Sequence, residues 1–286
     1  MAILLDGKKV AQEIKNSIKD EVRTLQEKYK RRPVLACVAV GENPAASVYV
    51  KSQSKIAEEL GVDYRLVSLP SETLEEDLIS EILKLNADTQ VHGMMIQSPL
   101  PKTMNMQTVV GFISATKDAE GMHPENLGKI VLGQERIAPC TARACVALLH
   151  HYQIKLYGKE AVIVGHSDIV GKPLSLMLLK EFATTTVCHI ATFEAQKLQN
   201  HVERAEILVV AVGKANLIKG AWIKEGAVVI DVGINRVGER IVGDVEFDAA
   251  ERKASYITPV PGGVGPLTVA LLIKNTLELF KESLIR

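Results

Sequence analysis

The sequence carries no surplus charge, no closely spaced cysteines and no apolar run near membrane length, and each lack closes off a class of function. Lys plus Arg and Asp plus Glu both number 34. Nothing therefore drives the counterion release that dominates nucleic-acid affinity, and nucleic acid is not expected as a partner. No stretch approaches the roughly 20 apolar residues of a membrane span, and the apolar residues before Asp6 are too few for a signal peptide. No membrane partner is expected, and the location implied is cytoplasmic. Cys37, Cys140, Cys145 and Cys188 form no Cys-x-x-Cys pair, and the seven histidines form no His-Glu-x-x-His pattern. Three of the cysteines sit in or beside apolar segments, where a buried reduced thiol is the ordinary reading. His150-His151 closes a helical segment, where the helix dipole accounts for it. Neither a disulfide framework nor a metal site is expected.

What is present is an alternation of strands and helices. At 286 residues the chain exceeds what one core comfortably fills, so two domains are expected. Val10, Ile14, Ile18, Val22, Leu25 and Tyr29 recur at helical spacing after Asp6, an N-cap. Residues 33–41 are an apolar run ended by glycine, suited to a strand buried on both faces. Residues 45–60 predict a helix stopped by Gly61, 64–69 a strand, and Thr73 with Glu76 a capping box opening a helix through Leu85. A strand at 91–96 follows. The same grammar restarts after Pro139, with a helix at 144–152, a strand at 161–164, a helix at 173–179, and strands at 185–188, 207–212 and 228–232. A last helix runs from Leu267 to about Ser283. The reading is an α/β protein with two domains: an N-terminal parallel-sheet domain over 1–143, to which the helix 267–286 returns, and a Rossmann-type domain over 144–266.

The second domain carries a strand, a glycine turn and a helix, the arrangement that aims free helix N–H groups at a pyrophosphate. Gly165-His166-Ser167-Asp168-Ile169-Val170-Gly171 occupies that turn, with Ser167 where the usual fingerprint has its second glycine. On local pattern alone this is as readily a plain turn of a doubly wound sheet. Ala211-Val212-Gly213 and Asp231-Val232-Gly233-Ile234 add weight, because both fall at the carboxyl edge of the sheet, where ligands bind.

Longer motifs then resemble one family. Tyr49-Val50, Gln97-Ser98-Pro99-Leu100-Pro101, Lys117-Asp118-Ala119-Glu120-Gly121, His123-Pro124, Pro139-Cys140-Thr141, Ile169-Val170-Gly171-Lys172-Pro173 and Pro259-Val260-Pro261-Gly262-Gly263-Val264-Gly265-Pro266 stand in the order and spacing of the bifunctional methylenetetrahydrofolate dehydrogenase/methenyltetrahydrofolate cyclohydrolases. The resemblance implies a folate substrate held between the domains, a nicotinamide dinucleotide (NAD or NADP) on the second, tetrahydrofolate as one-carbon carrier, and a homodimer. It assigns Tyr49 to stacking on the folate and Gln97 to the active-site hydrogen-bond network. Pro99, Leu100, Pro261, Gly262 and Gly263 fall at the substrate. Thr141, Gly165, His166, Ser167, Ile169, Ile190, Ala211, Gly213, Gly233, Ile234 and Thr268 fall at the cofactor. Each also has a plain structural reading: Tyr49 as a half-buried helix aromatic, Gln97 as a strand cap, the paired glycines as a tight turn.

Three departures from the family pattern bear on chemistry. The family's catalytic lysine, four residues after the tyrosine, is Gln53, and Lys51 and Lys55 point roughly 200° away around the helix. The second aspartate of Asp-x-Asp-Gly is Glu120. The arginine and serine that accompany NADP in relatives are His166 and Ile190, which lack a fixed cation and a hydrogen-bond donor, so NAD is favoured. Hydride transfer needs mainly proximity and orientation, whereas opening the methenyl bridge needs proton transfer by a group of adjustable pKa, which an amide is not. The reading is therefore dehydrogenase activity with weak or absent cyclohydrolase activity, involving Tyr49, Gln53, Gln97 and Glu120. A fully bifunctional enzyme and a non-catalytic binding homologue are the rivals.

Overall fold

The computed structural model describes residues 1–285, with those at 44–46 described by backbone alone. In chain order the elements are β1 (Ile3–Leu4), α1 (Gly7–Tyr29), β2 (Val34–Val40), α2 (Pro44–Glu59), β3 (Asp63–Leu69), α3 (Glu75–Ala87), β4 (Gly93–Ile96), α4 (Met106–Val110), α5 (Pro124–Val131) and α6 (Cys140–His151). Then follow β5 (Glu160–Val164), α7 (Gly171–Lys180), β6 (Thr184–Cys188), α8 (Ile190–Glu194), α9 (Leu198–Arg204), β7 (Ile207–Val210), β8 (Val228–Asp231), β9 (Asn235–Val237), β10 (Arg240–Val242), α10 (Phe247–Glu251), β11 (Tyr256–Ile257) and α11 (Val264–Ser283). They fall into two compact units. One comprises 13–129, 135–138 and 269–286; the other comprises 1–12, 130–134 and 139–268.

The first unit is built on a three-stranded parallel sheet, ordered β3-β2-β4. Side chains alternate across it, so the two faces take different partners. Ala36, Val38, Met94 and Ile96 pack on Leu78, Ile82 and Leu85 of α3. Leu35 and Cys37 turn the other way, with Tyr64 and Met95 on that same face by register. Asp6 caps α1 as its position suggests, accepting the amides of Lys8 and Lys9 at 2.9 and 3.2 Å. The expected capping box at Thr73 and Glu76 does not form. Helix α3 starts at Glu75 behind Leu74, which makes no side-chain cap, and Glu75, Glu76 and Asp77 complement the dipole instead.

The second unit holds a six-stranded sheet, ordered β1-β11-β8-β7-β5-β6, in which every pair is parallel. Its strand β1 pairs with β11, so residues 1–12 go with this sheet and not with the 1–143 segment in which sequence order had placed them. Helix α6 begins at Cys140 and α7 at Gly171, each earlier than its periodicity indicated. Among the described residues no helix is long and apolar enough to cross a membrane.

Candidate functional site

In the first unit the alternation that sends Ala36 and Val38 to the α3 core sends Cys37 and Tyr64 to the opposite face. Gln53 of α2 meets them there. It is 8% exposed, and its Oε1 accepts a hydrogen bond from Tyr64 Oη at 3.0 Å. Tyr64 also lies within hydrogen-bonding reach of the Cys37 thiol. Burial pushes that thiol up to about 11, with the Glu120 charge adding to the rise. Tyr64 is raised as well, by burial first and then by Cys37 and Glu120. Lys51 and Lys55 are both exposed, as their turn around the helix requires, and neither takes the place of Gln53. Tyr49 lies one turn before Gln53 and is 51% exposed, leaving its ring accessible.

Glu120 is positioned by the segment that extends the sheet past β4. Met94 donates its amide to Lys117 O at 2.6 Å and accepts from the Ala119 amide at 3.0 Å. Asp118, 1% exposed, ties the following loop by accepting from Gly121 N, His123 N and Asn126 Nδ2 at 2.8–3.0 Å. Gly121 is required there, with φ of +76° and a Cβ position 2.3 Å from the Ala138 carbonyl carbon. The Glu120 carboxyl is pushed up to about 7 by burial first and the Asp118 charge second, against a stabilising bond from the Ile96 amide. Gln97 directly follows Ile96. Its Nε2 donates to Ser98 O at 2.9 Å, while its buried Oε1 has no partner among the described residues. A cavity of about 560 Å³ opens beside Gln97, bounded by Ala39, Val50, Leu66 and Ser68. Tyr49, Gln53 and Glu120 do not line it. Pro99 is exposed, and Leu100 packs on the α3 core.

The second unit brings another set together. Gly165 adopts φ of +120°, and a Cβ there would stand 2.3 Å from Ala211 O; one at Gly171 would stand 1.9 Å from Gly165 O. The turn is thus folded too tightly for any side chain at either place. Ser167, where a glycine is usual, uses its Oγ to accept the Val170 amide at 3.2 Å. No side chain caps the start of α7, which leaves that helix end open to an anion. Beside it lies a cavity of about 360 Å³ formed by Gly165, His166, Ser167, Ile190, Ala211 and, beyond the predicted set, His189, Phe193 and Lys214. The rings of His166 and His189 are 5.4 Å apart, and Lys214 Nζ lies 5.2 Å over the Phe193 ring.

Thr141, Ile169, Gly213, Gly233, Ile234 and Thr268 belong to this unit without lining that cavity. Gly213 and its neighbours are nonetheless fixed by Asp244, whose carboxylate accepts the amides of Val212, Gly213 and Lys214 at 2.8–2.9 Å and Asn235 Nδ2 at 2.8 Å. Gly233 makes room for that carboxylate, since a Cβ would stand 2.2 Å from it. Pro261, Gly262 and Gly263 form the loop entering α11. Gly262 has φ of +117°, and the Gly263 carbonyl packs where a Cβ on Gly7 would stand 1.6 Å away.

Tyr64, Asp244, Phe193 and Lys214 were not among the residues that the sequence motifs pointed to. For Tyr64 a signal existed: strand alternation puts it on the face that α2 covers. All four cysteines are buried and free.

Residues 5–120 match the family described as tetrahydrofolate dehydrogenase/cyclohydrolase, catalytic domain, and residues 139–284 match its NAD(P)-binding domain. The bifunctional protein FolD of Sulfurihydrogenibium sp. (strain YO3AOP1) is 49% identical over 285 residues, covering 99% of each chain. The crystal structure of the bifunctional enzyme FolD, a methylenetetrahydrofolate dehydrogenase/cyclohydrolase, from Campylobacter jejuni superposes with a TM-score of 0.95 at 42% identity over 99% of both chains. The Trypanosoma brucei enzyme complexed with NADP cofactor and inhibitor gives 0.95 at 39% identity, over 100% of this chain and 99% of that one.

Proposed function

The chain belongs to the tetrahydrofolate dehydrogenase/cyclohydrolase family, and from that premise we propose that it oxidises 5,10-methylenetetrahydrofolate to 5,10-methenyltetrahydrofolate with a nicotinamide dinucleotide, and hydrolyses the product poorly. The observation that carries this reading is Gln53, an uncharged amide, buried and hydrogen-bonded, one helical turn from the exposed ring of Tyr49. A neutral amide holds and orients; it neither takes up nor releases a proton near neutral pH.

The dinucleotide fits the second unit. The uncapped start of α7 suits the pyrophosphate, and the cavity walled by Ile190 and Phe193 suits an adenosine. When bound, the nicotinamide supplies the hydride acceptor. The chain's own residues do the rest. In this proposal Tyr49 stacks on the folate and Glu120 and Gln97 hold the polar edge of the pterin, while Pro99, Leu100, Pro261, Gly262 and Gly263 are assigned to the substrate by the family pattern alone. Gln97 Oε1, buried without a partner, calls for a donor that a ligand would bring. Thr141, Ile169, Gly233, Ile234 and Thr268 are assigned to the dinucleotide by the family pattern, with the folate domain built on the β3-β2-β4 sheet and the dinucleotide domain on the six-stranded sheet to which residues 1–12 belong. We read NAD as the preferred cofactor because His166 and Ile190 offer no fixed cation or donor to a 2′-phosphate.

A homodimer fits the open edge that β6 presents on the six-stranded sheet. A cytoplasmic place fits four free thiols. The purified protein, given 5,10-methylenetetrahydrofolate and NAD or NADP, is expected to reduce the dinucleotide. No reduction with either would overturn the proposal.

A further inference from the structure

The hydrogen bond from Tyr64 to Gln53 fixes more than a distance. A primary amide offers an acceptor at Oε1 and two donors at Nε2. The phenolic hydrogen of Tyr64 has two neighbours, the Gln53 carbonyl at 3.0 Å and the Cys37 thiol. Sulfur is the weaker acceptor, so the hydrogen goes to the amide oxygen. That bond fixes which end of the amide faces Tyr64, so Nε2, with its two N–H donors, is the end turned away from it.

We propose that Tyr64 is a positioning residue, which locks the Gln53 amide with its donor end toward the bound pterin. The amide gives a hydrogen bond to an accepting atom of the substrate and supplies no base. Burial raises both Cys37 and Tyr64, so neither takes up a proton near neutral pH. Tyr64 and Gln53 thus work as one unit in place of a charged side chain. This deepens the dehydrogenase reading and rests on it.

The test is a double-mutant cycle read in steady-state kinetics of the full-length protein with 5,10-methylenetetrahydrofolate and NAD. Tyr64→Phe is expected to lower kcat/KM for the folate about 3- to 10-fold, the worth of one oriented hydrogen bond, and to leave the KM for NAD unchanged. In a Gln53→Met background, where there is no amide to orient, the same change is expected to cost less than about twofold. A merely structural tyrosine would cost the same in both backgrounds, and that result overturns the proposal, as does a silent Tyr64→Phe. Gln53→Glu reads the same geometry from the other partner, and it serves where Tyr64→Phe fails to fold. It keeps an acceptor for the phenol and loses the donor end. It is expected to lose at least as much kcat/KM as Gln53→Met, and full activity in Gln53→Glu overturns the proposal. Wild-type protein that turns over alongside a silent Tyr64→Phe leaves the functional reading standing and removes only this inference; inactive wild-type protein removes both.

Discussion

Lys172 holds its ammonium 2.5 Å from the carboxylate of Asp168, one helical turn back. The pair is too exposed to add much stability, and it ties the Lys172 cation to a carboxylate of the turn itself. Lys214 is likewise turned over the Phe193 ring. Lys172 is thus engaged by Asp168 and Lys214 by the Phe193 ring. The wild type is expected to prefer NAD in kcat/KM. His166→Arg combined with Ile190→Ser is expected to improve NADP use about 10- to 100-fold, by restoring charge-assisted contacts. Parallel kinetics with the two dinucleotides check this; equal use by the wild type would contradict it.

Glu120 makes a prediction about pH. Its folded-state pKa, pushed up to about 7 from 4.5 chiefly by burial and by Asp118, lies above the unfolded value. The folded protein therefore binds the extra proton between those two values, and stability falls as pH rises through about 7. Glu120→Gln removes the cost of ionising a buried carboxyl. Its unfolding free energy is expected to exceed that of the wild type above about pH 8, by on the order of 2 kcal/mol, with the gain vanishing below about pH 4.5. Urea denaturation at both ends of that range measures the difference.

Asp244 is the more costly carboxylate to remove. Three backbone amides and Asn235 all donate to it, and its own amide goes to Asp231, which burial pushes up to about 6. Asp244→Ala leaves those donors unpaired. A loss of about 3 to 5 kcal/mol is expected, with weakened dinucleotide binding because the loop through Gly213 is no longer pinned. Chemical denaturation and an NAD titration would show both.

Gly171 tests the turn itself. A methyl group there would stand 1.9 Å from Gly165 O, so Gly171→Ala must open the turn at the start of α7. NAD affinity is expected to fall at least about tenfold while folate affinity holds, as read by calorimetry.

The strand and helix order was legible because period-2 and period-3.6 patterns are local. Residues 34–40 and 207–210 declare themselves as buried strands by composition alone. What local pattern does not carry is pairing at a distance. Strands β1 and β11 have two residues each and are defined by pairing at a distance, β1 with β11 and β11 with β8, so no window of sequence shows them, and the first 12 residues read as part of the first domain. Asp244 likewise reads as one more acid in a loop until the fold brings Val212, Gly213 and Lys214 to it. The motif residues of the site were legible through resemblance. Tyr64 was legible only as a strand residue on one face of the sheet; its role follows from the Gln53 substitution and from the register between β2 and β3.

The account turns on what an amide at position 53 permits. The most direct measurement follows methenyltetrahydrofolate absorbance in the wild type and in Gln53→Lys, each supplied with the methenyl compound. The wild type is expected to leave it largely intact, with enzymatic hydrolysis slower than in the lysine variant by about a hundredfold or more. Equal rates of decay in the two proteins would contradict it.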